Sequence, residues 1–153
     1  MSPDDRAACS VMAAVLARGH MLHLFSAPLT IASFIAIPAL TVLGGAPLFT
    51  IDASVTFIAG LCEAFLAARV ALDADLFRDL AMGHLDLDRL DSAMDRLGFA
   101  SEQKVGRPLE ARLDGALRLL RLQAGWLLLQ LATTVAVMLL IGIIAVIEWR
   151  RRG

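Results

Sequence analysis

Glu63 is the side chain of this sequence best placed to do chemistry. It follows Cys62 in a stretch, about 48–68, whose only other charge is Asp52. A carboxylate in hydrocarbon costs roughly 2.5–3.5 kcal/mol near the centre of a spanning helix, so it must be paired, protonated or turned to a polar interior. Its neighbours of matching chemistry are His20 and His23 upstream and Arg69 downstream. If the chain folds back at Gly45 and Ala46, Glu63 comes level with Pro28 to Thr30 and His23 with Arg69. A polar cluster of His20, His23, Glu63 and Arg69 on the inner side of that hairpin is then expected. One reading pairs Glu63 with Arg69 or lets it snorkel to the interface, and its position less than two turns from the span end favours this. The other makes the cluster a proton or ion relay, with Glu63 changing its protonation.

Other chemistries lack the residues they need. His20 and His23 at i,i+3 supply two imidazoles, but no third and fourth ligand of matching type accompanies them, so no metal site is expected. Haem held between helices needs histidines on facing spans, whereas the remaining one, His84, lies in the middle segment. Asp86, Asp88, Asp91 and Asp95 distribute around a helix and alternate with Arg89 and Arg96, which marks a solvated face. Nucleophile elbow, phosphate loop and His-Glu-x-x-His patterns are absent, so neither a catalytic set nor a cofactor is expected. Lys and Arg number 14 against 15 Asp and Glu, for a net charge of −1, which removes the basic surplus that nucleic-acid binding needs. Cys9 and Cys62 stand in dissimilar surroundings and read as free thiols.

The elements that must carry Glu63 are membrane spans. The chain has 153 residues, 58% hydrophobic and 19% charged. That exceeds the apolar share of a soluble domain, about 45–50%. Leu24 to Ile51 contains no charged residue or histidine, more than the ~20 residues needed to cross. Gly44-Gly45 with Pro47 divides the run, placing span one at about 21–43 and a returning span two at about 48–68. Span one carries Pro28 and Pro38, and Ser26, Thr30 and Ser33 lie close enough to satisfy carbonyls that the prolines free. In span two, Thr56, Gly60, Ala64 and Ala68 recur every fourth residue, the small-residue stripe that lets helices approach closely. Span three, Leu122 to Ile147, is free of charge, with Trp126 and Trp149 near its ends and Arg150, Arg151 and Arg152 stopping it. Gln123, Gln130 and Thr134 share one side of it, a pattern for hydrogen bonds between helices.

The expected fold is therefore all-α, an integral membrane protein with three transmembrane helices: a helical hairpin, a third span, and a short amphipathic helical segment between spans two and three. Residues 1–19 are expected to form an interfacial helix, capped by Ser2 and Pro3, with Val11, Met12, Val15 and Leu16 as its apolar face. Residues 21–68 make the hairpin, 69–121 the amphipathic segment, 122–149 the third span and 150–153 a basic tail. In the segment, Leu87, Leu90, Met94 and Leu97 have the spacing of one helical face, with Asp86 as N-cap and Gly98 as stop, and Pro108 starts a further helix whose Leu109, Leu113, Leu117 and Leu120 lead directly into span three. Arg6, Arg18 and the many basic residues of 69–121 outweigh the tail, so the N-terminus and 69–121 are expected in the cytoplasm. Arginine supplies all but one of the basic residues, a bias suggesting a GC-rich bacterial genome and hence the inner membrane.

These features point to an accessory or scaffold subunit rather than an enzyme. It would work in the lipid bilayer by helix association with a membrane protein partner or with itself, docking through the small-residue stripe and through Leu87, Leu90, Met94 and Leu97. The rival expectation is a homo-oligomeric ion or small-molecule transport protein with Glu63 in the pathway.

Overall fold

The computed structural model describes residues 1–96 and 108–152, and every regular element among them is a helix. In chain order these are α1 (Pro3–Ala17), α2 (Gly19–Val42), α3 (Pro47–Met82), α4 (Leu87–Arg96) and α5 (Leu109–Arg152). Three helical stretches, Pro3–Val42, Pro47–Met82 and Leu109–Arg152, are long and apolar enough to cross a membrane. Leu97 and Gly98, expected to close the short helix, lie outside the described residues.

Spans two and three do not end where their apolar runs end. α3 continues past Ala68 to Met82, and α5 begins at Leu109, well before Leu122. Neither boundary carries a Pro, and Gly125, within a turn of Leu122, stays helical. A change from apolar to amphipathic side chains alters which solvent a helix suits, not whether it is a helix. What stops these helices is backbone geometry. Gly83 adopts φ +73°, donates to Leu80 O and lets His84 N reach Asp79 O at 3.0 Å. Gly44, at φ +67°, ends α2 the same way, with Gly45 N on Leu40 O at 2.8 Å. Both are Schellman ends that glycine adopts without a Cβ penalty.

The chain divides into two units, each built from distant segments. One, the amphipathic unit, combines Met1–His20 with Leu66–Arg121; the other, the apolar unit, combines Met21–Phe65 with the chain from Leu122 on. The core of the amphipathic unit contains Cys9, Met12, Ala13 and Leu16 from α1, Val70, Ala74, Phe77 and Leu80 from α3, Leu90 from α4 and Ala116 from α5. These recur at three- and four-residue intervals, the stripe a helix presents to a protein core. The buried face of α1 is thus turned from the one expected: Met12 and Leu16 are inside, but Val11 and Val15 are exposed and Cys9 and Ala13 take their place. Cys9 is sealed from solvent, and burial pushes its thiol above the ordinary value. Leu87 and Met94 pack against this same core beside Leu90. A part-buried ion pair, Arg112 to Asp91 at 2.5 Å, ties α4 to α5.

Local sequence starts the helices. Asp86 accepts from Arg89 N at 2.8 Å at the head of α4. At the head of α1, Ser2 N donates to Asp5 and Asp5 N donates back to Ser2 Oγ, a reciprocal capping box. Hydrogen bonding from Ser2, its backbone N–H first and its hydroxyl second, holds the Asp5 carboxyl below its ordinary value of 3.8. The folded value is the lower one, so the box contributes fully above pH 3.8 and its contribution is lost as the pH falls from there through the folded value. Amide exchange at Asp5 should accelerate over that interval while Leu80 stays protected; an unchanged Asp5 rate would show that the box does not hold α1.

Candidate functional site

The apolar unit turns its polar side chains inward onto one another at two levels. Gln123 and Gln130 stand seven residues apart, so they share one face of α5. Each is 0% exposed; Gln123 bonds to α3, and Gln130 to both α2 and α3.

At the first level Glu63 of α3, also 0% exposed, is held between two groups. Gln123 Nε2 donates to its Oε1 at 2.7 Å. His23 Nδ1 of α2 lies 2.9 Å from its Oε2. Both carboxyl oxygens are therefore engaged, one by a neutral amide and one by an imidazole whose side chain is 36% exposed.

At the second level Gln130 uses its whole amide. Its Oε1 accepts from Ser26 Oγ at 2.5 Å, and its Nε2 donates to Thr30 Oγ1 and to Thr56 O, both at 3.1 Å. An amide carries two donors, and both are spent here. Thr56 Oγ1 shares a 3.0 Å bond with Thr133 Oγ1. Gly60 makes this level possible. A Cβ built on it overlaps Thr30 Oγ1 and comes 2.5 Å from Gln130 Nε2, so α2, α3 and α5 touch where only glycine fits. Phe34 and Phe57 add a ring contact, centroids 5.5 Å apart, between α2 and α3.

The residues singled out in the sequence take different places. His23 and Glu63 meet directly. His20 and Arg69 are both exposed and belong to the amphipathic unit. Gly60, rather than Glu63, lies against Thr30, which sets Glu63 nearer the open end of the hairpin and within reach of His23. Of the small-residue stripe, Thr56 and Gly60 are buried, Ala64 is half-buried and Ala68 is exposed in the amphipathic unit. Four residues turn a helix about 400°, so a stripe of that spacing drifts by about 40° per step. The buried face follows the mixed spacing Ala53, Thr56, Ala59, Gly60 and Glu63 instead.

Ser26 and Thr30 do not serve the carbonyl that Pro28 frees. Ser26 Oγ goes to Gln130, and Thr30 Oγ1 donates to Ser26 O at 3.0 Å. Thr134 donates back to Gln130 O at 2.8 Å, and its neighbour Thr133 is the one that meets α3. The spacing of Gln123, Gln130 and Thr134 does not by itself name their partners on the other helices. Their signal is present all the same: Ser26, Thr30 and Ser33 form an i, i+4, i+7 polar face in a span otherwise without charge.

Among the described residues, no group of three or more His, Cys, Asp or Glu side chains is arranged to hold a metal ion. Comparison with known proteins matches the chain to no family model, no curated protein and no solved structure.

Proposed function

We propose that the chain is a multi-pass protein of a bacterial inner membrane, with its N-terminus and residues 69–121 in the cytoplasm, and that it serves as a non-enzymatic accessory or scaffold subunit. The observation that carries this reading is the closure of the apolar unit upon itself. Its buried polar groups bond to one another across α2, α3 and α5, and its outer surface is apolar, with Phe25, Ile35, Leu128 and Met138 each more than half exposed. Lipid is the solvent that suits such a surface.

The same geometry weighs against Glu63 as part of a transport path. Within one chain, the contact of Gly60 with Thr30 and Gln130 fills the level next to it. A path between copies would run along outer surfaces, from which Glu63 is sealed. Glu63 thus supports the helix assembly rather than lining a channel.

On this reading association uses surfaces other than the buried members of the two expected docking faces. Gly60 and Thr56 are spent inside the apolar unit, and Leu87, Leu90 and Met94 are spent on the core of the amphipathic unit. The outward faces of the helices remain for a partner or a second copy. The test is purification of the tagged full chain in mild detergent. A stoichiometric membrane partner or a discrete homo-oligomer is the expected result. A lone monomer that conducts ions after reconstitution would replace this reading with transport.

A further inference from the structure

A scaffold has no use for an ionisable group in the middle of its packing when an amide of the same shape would bond equally well, and this one has Glu63. The bond partners show what the carboxyl adds. We propose that Glu63 and His23 form a proton-binding site in which His23 is the entry and Glu63 the store. The imidazole is 36% exposed and lies two residues inside the start of span one at about residue 21, while Glu63 is sealed at 0%, so the ring is the one of the two that water at the membrane interface reaches.

The contact between them works with the hydrogen on either side. When Glu63 is ionised, Nδ1 carries the hydrogen and donates it to Oε2 across the 2.9 Å contact. A proton from solvent then binds Nε2. The hydrogen on Nδ1 passes to Oε2, and the electron pair of its N–H bond stays on the ring. The products are a neutral carboxylic acid donating to Nδ1 and a neutral imidazole protonated at Nε2. One proton has been taken up, no heavy atom has moved, and the charge of the pair has gone from −1 to zero. Gln123 Nε2 donates to Oε1 before and after, because that oxygen accepts as a carboxylate oxygen or as a carbonyl. The amide therefore holds the carboxyl in place while the proton comes and goes.

Within the apolar unit the groups facing Glu63 are few, which makes the site readable. His23 is the titratable group facing it from α2. The uncharged Gln123 faces it from α5, which has no charge from Leu122 to Ile147. Cys62 adjoins it on α3. A net charge buried in a low-dielectric interior is costly, so proton uptake relieves the packing of a burden that Gln123 and His23 otherwise bear alone.

The test uses the full chain in phosphatidylcholine vesicles, labelled with ¹⁵N-histidine. On stepping from alkaline to acidic buffer, the neutral ring of His23 is expected to change from the Nδ1–H to the Nε2–H tautomer, with His20→Gln and His84→Gln variants assigning its signal. Infrared difference spectra over the same step should show a protonated carboxyl band that is lost in Glu63→Gln. That variant keeps the shape and both contacts, and the histidine measurement on the unmutated chain stands even if it fails to fold. His23→Gln should remove the band or slow its appearance. A single His23 tautomer at every pH, or a carboxyl band undiminished in folded Glu63→Gln, overturns the proposal.

Discussion

Gly60→Leu should leave no folded apolar unit, and even Gly60→Ala should cost about 2–4 kcal/mol, combining overpacking of ~1–3 kcal/mol with weakened bonds at Gln130. The expected failure follows from position. The first atom of any side chain at residue 60 meets Thr30 Oγ1 and Cβ and the Gln130 amide, and these are not free ends that can swing away. Thr30 is a β-branched residue on a helix that also carries Pro28, with one strongly restricted χ1. Gln130 is held by three bonds at once. Reversible unfolding in bicelles, followed through Trp126 in the same unit, measures the loss. A Gly60→Ala variant within about 0.5 kcal/mol of the parent would show that the helices are further apart than described.

Gln130→Leu is the second large effect. It removes the acceptor of Ser26 Oγ and the donor to both Thr30 Oγ1 and Thr56 O. Hydrogen bonds between membrane helices average only about 0.6 kcal/mol, with a maximum near 1.7. Three of them together, with Ser26 left fully buried, give an expected loss of about 2–4 kcal/mol, since a stranded buried group costs its full desolvation. Ser26→Ala in the Gln130→Leu background should recover part of this, because it removes the stranded hydroxyl. Equal stability of the single and double variants would mean that the hydroxyl finds another partner. Gln130→Leu at parental stability would mean that packing alone assembles the three helices.

How much of this was legible in the sequence depends on what kind of force sets each feature. The three apolar helices were legible, because charge-free runs such as Leu24 to Ile51 and Leu122 to Ile147 have the length and hydropathy that a membrane crossing requires. So were the Ser2 and Asp86 caps, which are local. The start of α5 was legible too, in Pro108 and the spacing of Leu109, Leu113, Leu117 and Leu120 that leads into span three; the extension of α3 past Ala68 was not, since it depends on what does not happen there: no residue ends the helix. The inward turn of α1 was hidden by composition. Val11 and Val15 are more hydrophobic than Cys9 and Ala13, but the smaller pair lets α1 approach Ala74 and Ala116 in the same core. The candidate site was legible in part. Glu63 and His23 announce themselves as ionisable groups in apolar surroundings, but their meeting depends on hairpin register. That register is set by how deeply Gly60 lets Thr30 approach, a contact between residues that carry no signal of their own.

The claim beneath all of this is that α2, α3 and α5 lie in a bilayer, and washing membranes that carry the full chain with alkaline carbonate tests it most directly. The chain is expected to stay with the lipid and to leave only with detergent. Release into the aqueous wash as a monodisperse species would contradict it, because the exposed side chains of Val42, Leu43 and Ile143 would then be facing water.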